Sequence, residues 1–503
     1  MRYSSPDAGV ALYSASQIRD IELSYAKSEQ KGTYPLMEAA GRAAYQTLKH
    51  NWPEARNILI LTGKGNNGGD GFVVARLATE ERKRVTLCNF CEPDNIKGDA
   101  LIAYQKLHTS GIAIKSWDKL DLSAFDLVID AMLGTGIKGA LRSPFDQVIA
   151  QLNKAKVPVL SIDIPSGLEA DTGSVVTEAV HADMTVTYIG HKKGMYTGTS
   201  ANYRGKVKLF DLGVSDSCYQ QHEFNVIAEN WNSLKHKLKP RLPAAHKGDH
   251  GRSLIIGGSK GMLGAAVLAA SAAARCGSGL TWAMVEEGAA QVVSARPEVM
   301  AQDIDLPDQQ CQDLLKRASV IIAGPGLGQR KRGKAWMQFL NEELEARDTL
   351  KVYDADALNW LAENPNKDNK RVLTPHPGEA ARLLNTSPEE VNQDRFASCQ
   401  AIVEQYGGIC VLKGAGTIVS DNTGMTLVCP VGNPGMATGG MGDVLSGIVG
   451  ALLAQGFSLL DSAALGVVIH GEAADRAAGP KGYYRGLLAA DLFPHLPALV
   501  NPY

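Results

Sequence analysis

Short runs of β-branched and leucine residues alternate with helix-length amphipathic segments along most of the chain, and this alternation constrains the fold more than any other feature. In the first half, two predicted helices within residues 15–50 precede the runs NILIL, RVTLC, LVIDA, VPVLSI and MTVTY. A crossover helix between successive strands is typical of parallel pairing. The pattern therefore predicts an α/β fold built on a doubly wound parallel sheet.

The rhythm is lost over about residues 214–250 and then starts again. A second series follows, with the runs RSLII, TWAMV, SVIIA, KVYDA, RVLT and GICVL. A chain of 503 residues is also too long for one ordinary hydrophobic core. We predict two α/β domains, residues 1–224 and residues 225–503.

Charge and composition exclude several classes of protein. The formal net charge of −2 provides no basic field for nucleic acid or an anionic membrane. The small and apolar stretches 259–285 and 444–471 carry charged or polar interruptions and are predicted to be buried helices rather than membrane spans. The scattered cysteines and the absence of a secretory pattern predict reduced, structural cysteines and a cytoplasmic location. The sequence does not decide whether the protein is a monomer or a homo-oligomer.

The first chemical cluster, GKGNNGGDG, follows a predicted strand and begins a helix. Its glycines Gly63, Gly65 and Gly68 have the dinucleotide-binding spacing, and Glu92 or Asp94 would then be the ribose-binding acid of an oxidoreductase. The loop also carries two asparagines and an aspartate, which are more polar than backbone contact with a pyrophosphate requires. These additions favour a ligand or cation site over a simple turn.

Two further polar loops follow strands of the same half, DAMLGTGIKG from residue 130 and DIPSG from residue 163. The carboxyl ends of parallel strands meet at one edge of a sheet, where open α/β folds bind their ligands. The three loops therefore predict one shared pocket.

In this order, GNNGGDG, DAMLGTGIKG and DIPSG resemble the epimerase domain of the NAD(P)H-hydrate repair enzymes, over about residues 10–220. The resemblance implies a Rossmann-like three-layer sandwich that interconverts the R and S epimers of hydrated NADH and NADPH. It implies that K⁺ is held by Asn67, Asp130 and Ser166. It implies a hydrate pocket lined by Asn66, Asn67, Gly68, Gly69, Asp70, Gly134, Thr135, Gly136, Ile137, Lys138, Gly139 and Ala140, with Asp163 beside the reacting ring.

Inversion at a carbon that bears a hydroxyl and a ring nitrogen is easiest if hydroxide leaves and water returns on the other face. A positioned carboxyl can donate and recover the proton, so Asp163 is predicted to be the catalytic acid/base, with Lys138 as an electrostatic candidate. The alternatives are that Asp163 caps a turn and that Lys138 is a solvated surface charge.

In the second half, NPGMATGGMGD precedes the apolar helical run VLSGIVGALLA. Glycines before a helix allow several backbone amides to point at one anion, and the helix dipole favours negative charge there. Asp443 at this helix start would repel a phosphate as a mere cap, and it is better placed to take a proton from an attacking hydroxyl. A structural N-cap is the alternative interpretation.

The run GGMGDVLSG resembles ribokinase-like small-molecule kinases. Together with GPGLG, DADAL, TPHPGE and LKGAGT, it resembles the dehydratase domain of the same repair family, over about residues 228–500. The resemblance implies that ADP or ATP, with Mg²⁺, phosphorylates the ring hydroxyl of the S epimer, and that phosphate then leaves to restore NADH or NADPH.

Carried over by position, Asp443 is the base on the substrate hydroxyl. Nucleotide contacts are implied for Lys413, Gly414, Ala415, Gly416, Thr417, Gly440, Met441 and Gly442, and hydrate contacts for Ala265, Gly326, His376 and Asp443.

Several of these residues have plain structural alternatives. Ala265 could serve helix packing, His376 could fill a turn, and Asp354 and Asp356 could be caps rather than Mg²⁺ ligands through water. A vitamin or sugar kinase fused to a non-catalytic nucleotide-binding domain is the competing function. It leaves the N-terminal pocket without a role, whereas an epimerase that supplies a stereospecific dehydratase accounts for the fusion.

Overall fold

The computed structural model describes residues 8–30, 32–108, 112–304, 309–345 and 347–503. Two compact units are present, residues 11–226 and residues 227–503, and the described residues 8–10 group with the second unit. The predicted boundary after residue 224 lies two residues before this division.

The first unit is built on a parallel sheet. Its strands are β1 (Val10–Tyr13), β2 (Asn57–Thr62), β3 (Arg84–Asn89), β4 (Ala113–Ile114), β5 (Leu127–Ala131), β6 (Val159–Ile162), β7 (Met184–Tyr188), β8 (His191–Lys192) and β9 (Lys206–Phe210). Its helices are α1 (Ala15–Ser28), α2 (Tyr34–Asn51), α3 (Asn66–Glu80), α4 (Gly98–His108), α5 (Phe145–Leu152) and α6 (Asp216–Gln220). The sheet order is β4-β3-β2-β5-β6-β7-β9, and β1 pairs separately with β8.

Alternate residues of β2 pack into different cores, which shows that helices cover both faces of the sheet. Ile58 and Ile60 belong to the cluster formed with α2, α3 and α4, whereas Leu59 and Leu61 belong to the cluster formed with α5. The strand order reverses direction between β2 and β5. The predicted three-layer α/β arrangement is confirmed, and its topological switch point lies between these two strands.

The second unit is also α/β. Its strands are β10 (Val226–Ala228), β11 (Arg252–Ile256), β12 (Leu280–Val285), β13 (Met300–Asp303), β14 (Val320–Ala323), β15 (Leu350–Tyr353), β16 (Arg371–Leu373), β17 (Ile409–Leu412), β18 (Thr417–Ser420) and β19 (Thr426–Cys429). Its helices are α7 (Trp231–Leu234), α8 (Leu263–Arg275), α9 (Ala289–Ala295), α10 (Gln309–Arg317), α11 (Lys331–Glu345), α12 (Asp356–Glu363), α13 (Pro377–Leu384), α14 (Pro388–Gln393), α15 (Arg395–Tyr406), α16 (Met441–Ala454), α17 (Leu459–Ala478) and α18 (Leu496–Val500).

The parallel part of this sheet has the order β13-β12-β11-β14-β15-β16-β17, and β18 and β19 extend it antiparallel. Helices α8, α16 and α17 pack on one face. Gly447 allows α16 to approach α8 closely, because a Cβ at this position would lie 2.1 Å from the Ala269 carbonyl oxygen. The stretch 259–285, predicted to be helical rather than a membrane span, contains α8 and then β12, the strand that the run TWAMV predicts, and glycines at 277 and 279 lie between them.

Candidate active sites

The loops that follow β2, β5 and β6 border a cavity of about 890 Å³ at the switch point of the first unit. Most of the residues predicted for the hydrate pocket line it, namely Asn66, Asn67, Asp70, Gly134, Thr135, Gly136, Ile137, Lys138, Ala140 and Asp163. Gly68 and Gly69 serve packing, because a Cβ on either would lie within 2.6 Å of the Gly63 carbonyl oxygen or the Met37 side chain. Gly139 is an exposed turn residue with φ +77°.

Asp163 follows β6 with φ +66°, a backbone conformation that a non-glycine residue adopts at a cost. Its Oδ1 atom accepts from the Lys192 ammonium, from Thr187 Oγ1 at 3.3 Å and from the Tyr188 amide at 3.4 Å. Within the described parts of the chain, Oδ2 makes no hydrogen bond. One oxygen thus anchors the carboxylate and the other is free for a ligand in the cavity.

The cation that pairs with Asp163 is Lys192, which the sequence interpretation missed. Lys192 is fully buried, and its ammonium also donates to Thr187 Oγ1 at 2.9 Å and to the Tyr188 carbonyl at 3.0 Å. Lys138, the predicted electrostatic candidate, lines the cavity but is exposed. The two adjacent lysines in HKKG suggest a surface segment, so only the inward orientation given by β8 could have revealed Lys192.

Three more carboxyls, those of Glu22, Asp70 and Asp99, border this cavity, and the first two differ from Asp163 in their surroundings. Burial raises the pKa of Asp70 well above its ordinary value, with the charges of Asp163 and Glu22 adding to the effect. Burial likewise raises the pKa of Glu22 to about 7, with a contribution from Asp163 that Lys192 partly opposes. The cavity therefore combines an ion-paired carboxylate with two carboxyls whose pKa values burial raises.

The three residues predicted to hold a cation meet around the Leu133 backbone. Ser166 Oγ donates to Asp130 Oδ1 at 2.6 Å and accepts from the Leu133 amide at 2.9 Å, and Asn67 Nδ2 donates to the Leu133 carbonyl at 3.0 Å. Asp130 is fully buried, and burial raises its pKa against the hydrogen bonds from Ser166 and Ser161. Asn67 Oδ1 is buried without a hydrogen-bond partner in the described structure. A set of oxygen atoms of which one has no hydrogen-bond partner suits a hard cation.

In the second unit, Asp443 lies in the first turn of α16, directly after a glycine loop. Gly440 precedes the helix with φ +90°, which favours glycine. Burial raises the pKa of Asp443 to about 7, with contributions from the charges of Asp354 and Glu379 that Lys413 partly offsets. This value suits a general base that works near neutral pH.

Lys413 connects the acidic groups around Asp443. Its ammonium lies 2.8 Å from Asp354 Oδ1 and 3.6 Å from Glu379 Oε2, while Ser446 Oγ donates to Asp354 Oδ2 at 2.8 Å. A Cβ on Gly442 would lie 3.2 Å from Lys413 Nζ. The predicted residues Lys413, Gly442 and Asp443 therefore belong to one cluster at the carboxyl ends of β15 and β17, and Glu379 is a member that the sequence interpretation did not single out.

The other predicted residues of this half occupy neighbouring loops. A Cβ on Gly326 would lie 3.1 Å from the Ala265 Cβ, so these two predicted hydrate contacts are adjacent. His376 caps α13, since its Nδ1 accepts from the Gly378 amide at 3.0 Å and the Glu379 amide at 3.3 Å. The predicted nucleotide residues Gly414, Ala415 and Gly416 lie in the turn between β17 and β18, and Thr417 begins β18.

The two aspartates considered for Mg²⁺ both have structural partners. Asp354 is paired with Lys413, and Asp356 accepts from the Gly328 amide at 2.8 Å. Among the described residues, no group of three or more histidine, cysteine, aspartate or glutamate side chains is arranged to hold a metal.

Comparison with known proteins gives matches over nearly the whole chain. Residues 33–194 match the model of the YjeF-related protein N-terminus, and residues 253–498 match the NAD(P)H-hydrate dehydratase model. A bifunctional NAD(P)H-hydrate repair enzyme of Coxiella burnetii is 44% identical over 98% of this chain and 99% of its own length. This chain belongs to that family.

Another bifunctional NAD(P)H-hydrate repair enzyme, from Escherichia coli, is 43% identical over 93% of this chain and 90% of its own length. The predicted membership in the NAD(P)H-hydrate repair enzymes is confirmed, and with it the class of a bifunctional enzyme. The solved structure of a ribokinase-like superfamily protein of Enterococcus faecalis is similar to this chain, with 25% sequence identity and a TM-score of 0.50. The match covers 56% of this chain and 96% of the Enterococcus protein. This agrees with the ribokinase-like fold predicted for the second half.

In the described structure, no helix has the length and apolar character that crossing a membrane requires.

Proposed function

We propose that the first unit interconverts the R and S epimers of hydrated NADH and NADPH, and that the second unit dehydrates the S epimer with ADP or ATP, releasing phosphate. The names of the relatives support this repair reaction. The observation that carries it is the placement of Asp443 beside the Lys413–Asp354 pair, at a helix start preceded by glycines. This arrangement provides a base, a cation and an anion-binding turn within one cluster.

In the proposed dehydration, Asp443 takes the proton from the ring hydroxyl as that oxygen attacks the terminal phosphoryl group. Backbone amides of the loop from Gly440 to Gly442 hold the transferred group, and Lys413 offsets its charge. The ring nitrogen then expels phosphate from the adjacent carbon, and loss of a proton from the neighbouring carbon restores the dihydronicotinamide. Phosphorylation thus replaces hydroxide with a better leaving group.

Mg²⁺ would be held chiefly by the nucleotide phosphates, because this ion usually takes only one or two carboxylates from the protein. Asp354 and Asp356 are the candidate carboxylates for Mg²⁺, and each also has a partner within the protein. In the first unit, Asn67, Asp130 and Ser166 would hold K⁺. That ion would neutralise the buried Asp130 and satisfy Asn67 Oδ1.

In the proposed epimerisation, the hydrate ring lies in the first cavity beside Asp163. Lys192 and two further donors fix one oxygen of this carboxylate, which leaves the other to exchange a proton with the ring substituent. Hydroxide leaves with help from the ring nitrogen, and water adds to the opposite face.

The eight cysteines are free thiols, which supports a reducing compartment such as the cytoplasm.

The test is to incubate the protein with Mg²⁺, ADP or ATP, and a mixture of both NADPH-hydrate epimers. Reduced-nicotinamide absorbance and free phosphate are followed together. We expect both epimers to be converted to NADPH, with one phosphate released per NADPH formed. A stable phosphorylated product, or no recovery, would contradict the dehydratase proposal and return the second unit to the ordinary kinases.

A further inference from the structure

Glu22 borders the cavity of the first unit from a helix that lies outside the residues matched to the family model. Helix α1 presents Ala15, Ile18, Arg19 and Glu22 to the cavity. These positions are three and four residues apart and so share one face of the helix. Ile18 and Ile21 are buried in the core, which fixes α1 against the unit. Glu22 is therefore held at the same cavity as Asp163 by an ordered element.

The carboxyl of Glu22 is mostly buried but has no hydrogen bond or ion pair in the described structure. A buried carboxylate without a partner is costly, so the neutral acid is the favoured form. Burial and the charge of Asp163 raise the pKa of Glu22 to about 7. Asp163 has the opposite surroundings, since its Oδ1 accepts from three donors, one of which is the Lys192 ammonium. Within the part of the chain that the structure describes, the cavity thus brings together one carboxyl without a polar partner and one carboxylate that is ion-paired.

Epimerisation needs both a proton donor and a proton acceptor. A departing hydroxide is a poor leaving group and needs a proton, whereas the water that adds to the other face must lose one. A pair of carboxyls in such different surroundings can fill these two roles. We propose that Glu22 is the general acid that protonates the departing hydroxyl, and that the Asp163 carboxylate receives the proton of the incoming water. This inference rests on the proposed epimerase function.

The step is balanced without a further reactant. The C–O bond breaks as the Glu22 proton passes to the hydroxyl oxygen, giving water, a Glu22 carboxylate and a ring cation in which the nitrogen lone pair forms a C=N bond. Water then adds to the opposite face of that carbon, the C=N electrons return to nitrogen, and the released proton goes to Asp163. Solvent in the cavity returns the proton from Asp163 to Glu22.

The experiment uses the full chain without nucleotide, so that the dehydratase is silent. Conversion of one purified NADPH-hydrate epimer into the other is followed after subtraction of the spontaneous rate. We expect Glu22→Gln to lower the enzymatic rate by about 100-fold or more, and Glu22→Asp to retain part of it. Asp20→Asn, an exposed acid on the same helix, should leave the rate unchanged.

The pH profile provides a readout that a merely structural role would not move. Because the acid must be protonated, the wild-type rate should fall as the pH rises through about 7. That decline should be absent in Glu22→Gln. The charged and titratable groups that act on Glu22 are Arg19, Asp70, Asp99, Asp163 and Lys192.

The outcomes separate this inference from the proposed function. A Glu22→Gln protein with the wild-type rate and pH profile, together with loss of activity in Asp163→Asn, would overturn the role of Glu22 and leave the epimerase intact. No epimerisation by the wild-type protein would instead contradict the proposed function. If Glu22→Gln does not fold, the pH profiles of the wild type and of Glu22→Asp decide the question, and a flat profile through pH 7 would overturn the inference.

Discussion

At the scale of single residues, Asp443 offers a direct test, because its pKa of about 7 couples activity and stability to pH. We expect Asp443→Asn to lower kcat for dehydration by about 10²–10⁴-fold. The wild-type rate should increase as the pH rises through about 7, since the base acts when ionised. The exposed Glu389→Gln should leave both the rate and its pH dependence unchanged.

The same substitution should also change stability, with a definite sign. The pKa of Asp443 is higher in the folded chain than its unfolded value of about 4, so stability is lost as the pH rises from about 4 to about 7. Asparagine avoids this loss. The thermal midpoint of Asp443→Asn should therefore exceed that of the wild type by more at pH 8 than at pH 5, and an equal difference at both values would contradict the assigned burial.

The sequence identified candidate residues that lie within a recognisable motif. It did not identify residues that reach the same cavity from a distant part of the chain. Asp163 and Asp443 lie in short motifs that contain glycine, DIPSG and GGMGD, at a strand end and a helix start, where the pattern itself suggests chemistry. Lys192 and Glu22 approach the cavity from β8 and α1, and neither position differs in sequence from an ordinary surface charge. Their roles depend on tertiary packing, which no local spacing records.

At the scale of elements, the contact between α8 and α16 positions the first turn that carries Asp443. We expect Gly447→Ala to destabilise the second unit by about 1–3 kcal/mol, because the added Cβ would overlap the Ala269 carbonyl oxygen. Thermal or denaturant unfolding measures this change.

Gly264→Ala on α8 is the matched control. Its Cβ would meet open space, and alanine is the better helix former by about 1 kcal/mol, so this variant should be as stable as the wild type or more so. Equal destabilisation by both substitutions would show that close helix approach is not the cause.

The buried strands could be predicted because each is an apolar run between turn signals, as in β2 and β14. The short or half-exposed strands β4 and β9 gave no such signal, since alternation over two residues or an exposed edge does not differ from loop sequence. Their pairing is set by neighbouring strands.

At the scale of the whole molecule, each unit has its own hydrophobic core. We expect Asp163→Asn to abolish epimer exchange and leave dehydration of the S epimer intact, and Asp443→Asn to do the reverse. Assays on single epimers, with and without nucleotide, measure the two activities separately. Loss of both activities in either variant would contradict this independence.

The cysteines have a practical consequence. Seven of the eight are buried, whereas Cys91 is partly exposed and borders the first cavity. Burial raises the pKa of its thiol, so it would react slowly with alkylating reagents at neutral pH and faster in alkaline solution. A single environment-sensitive fluorophore attached there would report occupancy of the hydrate pocket by its emission, in the native sequence and without removing any other thiol.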